Sequence, residues 1–141
     1  MMDNGSATTM APHEQSVATP DVFDVVVSII NFRTADLTIE CVKSVLADMA
    51  GINGMIVVVD NMSGDGSSEA IQAWIGGLDP SAPVRFVQSP TNSGFSGGHN
   101  QGISAARGEF YLVLNSDAFL RPNFLPTLLA AARTDPAGGL F

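Results

Sequence analysis

Four polar segments follow apolar runs of strand length, and their side chains could bind a nucleotide or a cation. They are residues 31–33 (Asn-Phe-Arg), 60–63 (Asp-Asn-Met-Ser), the glycine-rich stretch 89–98, and 115–117 (Asn-Ser-Asp). Amide and carboxylate oxygens accept hydrogen bonds, and glycine lets a backbone approach a ligand closely. The same residue types are also common in ordinary turns, so their place in the fold decides between the two interpretations.

Strand and helix patterns alternate along the chain, and this order predicts an α/β fold with a parallel sheet. In such a sheet the ligand crevice lies at the carboxyl ends of the strands, where the four polar segments fall. Residues 138–141 have the pattern of the entry to a fifth strand. The predicted strands are 25–30, 55–59, 84–87 and 110–114; the predicted helices cover 36–49, the segment through Ala70, Ile71 and Trp74, 101–106, and 122–133.

Length, charge and cysteine content narrow the classes of protein. A chain of 141 residues suits one domain, and a net charge of −8 argues against nucleic acid as a partner. The single cysteine, Cys41, excludes an internal disulfide and a cysteine-based metal site. Residues 1–21 have the composition of a flexible tail rather than a signal peptide, and no apolar run is long enough to span a bilayer. We therefore expect a cytoplasmic protein with one domain over residues 22–141.

Two common nucleotide-binding motifs do not fit the sequence. The dinucleotide-binding fold needs a G-x-G-x-x-G turn after its first strand, but residues 31–34 contain no glycine. A P-loop needs glycines ending in Gly-Lys-Ser/Thr, but the only lysine, Lys43, lies within a predicted helix. A nucleotidyltransferase shares the α/β layout, but it usually carries a glycine-rich, basic loop where residues 31–34 stand.

Four motifs follow one another in order through residues 25–118. They are VVVSIINFR (25–33), IVVVDNMSGDGS (56–67), the stretch 92–115 that begins NSGFSGGHNQG, and NSDA (115–118). Together they resemble the donor-binding half of family-2 glycosyltransferases, which have the GT-A fold. The pattern is similar to that of bacterial rhamnosyltransferase-like members, in which a GFxGGxNxG loop is joined to NxD in place of DxD.

The resemblance implies a three-layer α/β fold with a parallel-type sheet that is incomplete at the C-terminus. It also implies an enzyme of cell-envelope polysaccharide biosynthesis. Such an enzyme transfers a sugar with inversion from a UDP- or dTDP-sugar to a glycan or lipid-linked acceptor. In the whole protein it would act in the cytoplasm, at the inner face of the membrane.

The first two polar segments would bind the nucleotide. By resemblance, Asp60 accepts the imide N–H of a uracil or thymine base; otherwise it caps the turn that follows. Phe32 would stack on the base or fold back onto the first helix. Asn31 and Arg33 are candidate polar contacts, although Arg33 also suits the surface. Asn61 is a candidate contact that also suits a turn.

The glycine-rich segment would complete the nucleotide site. We expect a helix that begins around His99 and presents free N–H groups, with Gly97 and Gly98 allowing close approach. By resemblance, Gly98 and Asn100 lie beside the ribose or nucleotide. We expect Phe95 to anchor the loop in the core and His99 to be a loop residue rather than a catalyst.

The Asn115-Ser116-Asp117 segment would bind a metal. By itself it suits an ordinary turn, but the resemblance makes Asp117 a ligand of Mg²⁺ or Mn²⁺ bridging the donor diphosphate. Asn115 stands where the usual motif has its first acidic residue. A neutral ligand binds a cation more weakly than a carboxylate does. We therefore expect a weaker dependence on the metal than in enzymes with two acidic residues.

No catalytic base is assigned. An inverting transfer needs a general base for the acceptor hydroxyl, and in this family it lies well beyond the metal motif. Asp135 precedes Pro136 in a predicted turn and is a poor substitute. We therefore expect the 141-residue chain to bind a nucleotide without transferring sugar. The alternative is a non-catalytic nucleotide-binding or structural remnant.

Overall fold

The computed structural model describes residues 21–141, so the predicted tail lies outside the described residues apart from Asp21. Four strands alternate with four helices, as the sequence predicts. The elements are β1 (Val22–Asn31), α1 (Ala35–Asp48), β2 (Gly54–Asp60), α2 (Ser67–Gly76), β3 (Val84–Gln88), α3 (Gly94–Ser104), β4 (Arg107–Asn115) and α4 (Phe124–Thr134).

The four strands form one parallel sheet in the order β3-β2-β1-β4. The run 25–27 at the centre of β1 is almost fully buried because it has a strand on each side and a helix layer on each face. The register pairs Asn31 with Asp60 and Ile30 with Asn115. The sheet therefore brings the polar segments that follow β1, β2 and β4 to one edge.

Two layers of side chains cover the two faces of the sheet. On one face, alternate residues of β1 and β2 pack against α1, α2 and α4, with Val42, Ile71 and Leu125 fully buried. On the other face, Val26 and Val57 pack with partly buried residues that include Ala105, and α3 crosses β1 and β2. This arrangement confirms the three-layer α/β architecture.

Glycines allow α3 to lie directly on β1. A Cβ atom on Gly98 would come within 2.8 Å of Ile30 Cδ1, and one on Gly102 would overlap Ser28 Oγ. The predicted loop to residue 98 is wrong, because α3 already begins at Gly94. The predicted helix over 101–106 is present but begins earlier and ends at Ser104. Glycine is a poor helix former on its own, but here close packing against the sheet outweighs that propensity.

The last residues correct a second prediction. Residues 138–141 form no strand. The backbone N–H of Gly138 instead donates to both the carbonyl and the side chain of Asp135, which closes a turn. Gly138, Leu140 and Phe141 line a groove with α4 and β4 rather than pairing in the sheet. None of the described helices is long and apolar enough to cross a membrane.

Candidate functional site

A cleft of about 460 Å³ opens at the carboxyl ends of β1, β2 and β4. It lies where the parallel register gathers the polar strand ends. All four polar segments contribute residues to it, and the glycine-rich segment does so through Asn92 and the start of α3. Its lining residues are Ile30, Phe32, Thr34, Leu37, Asn61, Asn92, Gly94, Phe95, His99, Leu114, Asn115, Ser116 and Asp117.

Asp60 is buried and does not line this cleft. Its carboxylate is 1% exposed and accepts bonds from Asn31 Nδ2 (2.7 Å), Ser63 Oγ (2.6 Å), the Ser63 N–H (3.2 Å) and Gln88 Nε2 (2.9 Å). Burial by itself would raise the pKa of this carboxyl. The bonds from Ser63, Gln88 and Asn31 outweigh burial and hold the pKa below its usual range.

Asn31 joins this carboxylate to the start of α1. Its Nδ2 donates to Asp60 and to Ser63 Oγ, while its Oδ1 accepts from the Thr34 N–H and from Thr38 Oγ1. The side chain is fully buried, and all its polar positions are used within the protein. In this structure Asn31 and Asp60 form the frame of the site, and direct contact of either with a nucleotide stays a prediction.

Phe32 and Arg33 extend from this frame toward solvent. Phe32 lines the cleft with 42% of its surface exposed, which is the orientation that stacking on a base would require. Arg33 has a positive φ of 59°. It is held by Ser63, whose Oγ accepts the Arg33 N–H and whose carbonyl accepts Nε, and its guanidinium lies 5.1 Å from the Phe32 ring centre. Arg33 therefore supports Phe32 and does not line the cleft.

Asn61 fixes the start of α3 from the neighbouring strand. Its Oδ1 accepts the Ser93 N–H, and its Nδ2 donates to Asn92 Oδ1 and to the Gly94 carbonyl, each at 3.1 Å. Asn61 lines the cleft but is only 4% exposed. It shapes the wall through the same side-chain atoms that could contact a base.

Gly97, Gly98 and Asn100 lie inside α3, and none of them lines the cleft. Gly98 is buried against Ile30, and a Cβ atom on Gly97 would come within 2.5 Å of the Ser93 side chain. Asn100 is exposed. These glycines serve helix packing in this structure, and their contact with a ribose stays a prediction.

His99 and Phe95 take places that the sequence did not suggest. His99 is buried at 4% exposure, with Nδ1 2.8 Å from Ser28 Oγ. Phe95 was expected in the core but is 61% exposed. In α3 it lies at the cleft rather than against the sheet. Its ring meets His99 edge-on with centroids 4.5 Å apart. The helical i, i+4 spacing and the polar Ser28 in an apolar strand were the signals available for this contact.

The Asn115–Asp117 turn forms the opposite wall. Asp117 is exposed, and Ser116 Oγ lies 3.3 Å from Thr34 Oγ1, which ties this turn to the start of α1. Cys41 lies behind it, donating weakly to the Asn115 carbonyl. Burial and then the charge of Asp117 raise the pKa of the Cys41 thiol to about 11, so the thiol stays protonated at neutral pH.

The oxygen atoms of this turn suit a hard cation that takes its other ligands from a phosphate. Among residues 21–141, no three His, Cys, Asp or Glu side chains come together as a metal site. Magnesium is typically held by only one or two carboxylates plus substrate phosphates and water. The carboxylate of Asp117, together with the side-chain carbonyl oxygen of Asn115, fits that pattern.

Comparison with known proteins identifies relatives for most of the chain. The family model described as glycosyl transferase family 2 matches residues 24–141. The succinoglycan biosynthesis protein ExoO of Rhizobium meliloti is 35% identical over 84% of this chain and 31% of its own length. The glycosyltransferase GlyG of Streptococcus pneumoniae is 32% identical over 77% of this chain and 34% of its own length. The chain thus spans about a third of these relatives.

Solved structures of similar fold agree. The mannosyltransferase PcManGT of Pyrobaculum calidifontis, in complex with GDP-Man and Mn²⁺, superimposes with a TM-score of 0.67 at 23% identity, covering 82% of this chain and 34% of that one. S. aureus TarS 1–349 in complex with UDP-GlcNAc gives 0.63 at 21% identity, covering 80% and 32%. The likeness confirms the GT-A fold. Because the family model matches more than half of the chain, this protein belongs to glycosyl transferase family 2.

Proposed function

We propose that residues 22–141 are the donor-binding part of a glycosyltransferase that uses a UDP- or dTDP-sugar. The observation that carries the proposal is the cleft between Phe32, Asn61 and Asp117, at the carboxyl ends of three parallel strands. Family membership supports the same reaction class. The full reaction would transfer the sugar, with inversion, to a glycan or lipid-linked acceptor.

Each wall of the cleft has a separate task in this proposal. Phe32 offers an exposed ring for the base, with Arg33 and the Asn31–Asp60–Ser63 network holding its backbone in place. Gly97 and Gly98 allow the close packing at the start of α3, and Gly98 and Asn100 would lie beside the ribose or nucleotide. On the opposite wall, Asp117 and Asn115 would hold Mg²⁺ or Mn²⁺. When bound, that cation supplies positive charge to the departing nucleoside diphosphate.

The cleft contains too few acidic groups to finish the reaction. Of the described residues that line it, Asp117 alone carries a carboxylate. A carboxylate that holds a cation is not free to accept the proton of an acceptor hydroxyl. We therefore propose that the 141-residue chain binds nucleotide without transferring sugar.

The biological setting is inferred from the relatives. ExoO is named for succinoglycan biosynthesis, which supports a role in cell-envelope polysaccharide synthesis for this protein. An acceptor linked to lipid would place the reaction at the cytoplasmic face of a membrane.

Calorimetric titration of the 141-residue chain tests the binding assignment. We expect UDP or dTDP to bind more tightly with Mn²⁺ than without it. Asp117→Ala should remove most of that metal-dependent gain, about tenfold in affinity, because a charged ligand of the cation is lost. Glu69→Ala removes an exposed carboxylate from α2, away from the cleft, and should bind like the wild type.

Three outcomes would change the proposal. Failure of UDP, dTDP and GDP all to bind would favour a structural remnant. Equal metal-dependent gains in wild type and Asp117→Ala would remove Asp117 from the metal site. Transfer of labelled sugar by the 141-residue chain would show that it contains a working base.

A further inference from the structure

One buried polar atom beside the cleft takes no part in the proposed donor site. His99 is 96% buried, and its Nε2 has no hydrogen-bond partner among the described residues. A buried polar atom without a partner is energetically costly, because it has lost its hydrogen bond to water. His99 also lines the cleft, so a ligand there is within reach of supplying the partner.

The tautomer of His99 follows from its other nitrogen. Nδ1 lies 2.8 Å from Ser28 Oγ, and Ser28 is fully buried in the middle of β1. The hydroxyl has no other hydrogen bond among the described residues, so its proton is satisfied only if it donates to Nδ1. Nδ1 is then the acceptor, and Nε2 of the neutral ring carries the proton. His99, which lines the cleft, therefore carries an N–H donor that has no partner among the described residues.

Phe95 is placed to cover this donor and to uncover it. It lies one helical turn before His99, with its ring edge-on to the imidazole at 4.5 Å. It is nevertheless 61% exposed, so its rotation breaks few contacts. An exposed aromatic ring against a buried imidazole is an arrangement that an entering ligand can open.

We propose that His99 donates a hydrogen bond from Nε2 to a phosphate oxygen of the bound nucleotide, with Ser28 fixing its tautomer and Phe95 covering it in the ligand-free protein. A neutral N–H donor matches an anionic oxygen, and this bond adds no charge to the site. Asp117 lines the same cleft and would serve the same diphosphate through a cation. The inference rests on the proposed donor-binding function.

Nucleotide titrations separate this role from a structural one. We expect His99→Leu to weaken UDP binding about tenfold and to leave uridine binding unchanged, because uridine has no phosphate. His99→Gln should stay within about threefold of the wild type, since its amide N–H can replace Nε2–H. Ser28→Ala should fall between them, and Ser104→Ala, exposed at the end of α3, is the matched control.

Imidazole ¹⁵N spectra test the same proposal with His99 itself unchanged, so they do not depend on whether a His99 variant folds. Only two histidines are present, so a His13→Gln variant assigns the His99 signals. We expect a protonated Nε2 in the free protein and a downfield shift of its proton when UDP is added, but not when uridine is added.

The outcomes distinguish failure of the proposed donor-binding function from failure of the inference about His99. If the wild type binds none of UDP, dTDP and GDP, the proposed function fails and this inference fails with it. If the wild type binds UDP and His99→Leu binds it equally well, only the inference is overturned. An unprotonated Nε2, or an equal loss for UDP and uridine, would also overturn it. A change in melting temperature with unchanged UDP affinity would mark His99 as a packing residue.

Discussion

The two acidic turns of the cleft are built in opposite ways. After β2, Asp60 is 1% exposed and accepts hydrogen bonds from three side chains and one backbone N–H. After β4, Asp117 is exposed, and no hydrogen bond to its carboxylate is found among the described residues. The first turn is a closed network, whereas the second is open to solvent.

This difference separates a residue that supports the fold from one that can contact a ligand. A buried carboxylate whose lone pairs are filled stabilises the backbone around it, but it has little left to offer a ligand. An exposed carboxylate with free lone pairs contributes little to folding and remains free to bind a cation. The sequence presents both residues as an acidic group at a strand end, and only their partners distinguish them.

Substituting asparagine for the aspartate of each turn should give the largest difference in the free energy of unfolding. Asp60→Asn replaces one carboxylate oxygen by an amide N–H₂. That group then faces either the donors of Asn31 and Ser63 Oγ or those of the Ser63 backbone and Gln88. We expect a loss of about 3 kcal/mol in the free energy of unfolding. Asp117→Asn should change it by less than about 0.5 kcal/mol, since no residue within 21–141 forms a hydrogen bond to that carboxylate. Urea unfolding monitored by circular dichroism measures both values.

Equal stability of these two variants would contradict the contrast. So would a large loss for Asp117→Asn alone. A changed slope with denaturant would show instead that the Asp60 substitution alters the compactness of one of the two states.

Acid should remove a part of the same stabilisation. The pKa of Asp60 is lower in the folded than in the unfolded chain, so its contribution is complete above the unfolded value and is lost as the pH falls through the folded one. We expect the wild type to lose stability below about pH 4, the range in which an unperturbed aspartate titrates.

The control for acid unfolding is Asp60→Asn, which cannot titrate at this position. Its stability should fall less steeply over the same pH range than that of the wild type. Parallel curves for the two proteins would show that other carboxyls dominate the acid response.

A smaller effect should follow from restoring charge to the open turn. Asn115→Asp gives the turn a second carboxylate, and we expect Mn²⁺-dependent UDP affinity to rise about fivefold, with little change in stability. Gln72→Glu adds the same charge on exposed α2 and should leave the affinity unchanged. An unchanged or weaker metal dependence in Asn115→Asp would place the cation elsewhere.

Most of the fold was predictable because apolar periodicity reports burial directly. The central run of β1 and the buried stripe of α1 are where the patterns place them. The prediction failed at α3, whose glycines indicate a loop by local propensity. Gly98 and Gly102 are helical because the helix packs directly on Ile30 and Ser28, a contact far away in sequence.

The site was predictable in outline but not in the roles of its residues. Phe32, Asn61, Asn115 and Asp117 line the cleft as predicted from the strand ends. Asp60 was predicted at the same edge but is buried and does not line the cleft. Its burial depends on Ser63 and Gln88, and no local pattern predicts that three segments fold over one carboxylate.

The sequence by itself determined the parallel α/β layout, the edge at which the polar segments gather, and the family. These follow from the alternation of strand and helix patterns and from the order of the motifs. The tertiary structure decided which acid is closed and which is open, where α3 begins, and that His99 rather than Phe95 is buried. The physical reason is that burial and hydrogen-bond saturation depend on neighbours from other segments, and those neighbours exist only once the sheet has formed.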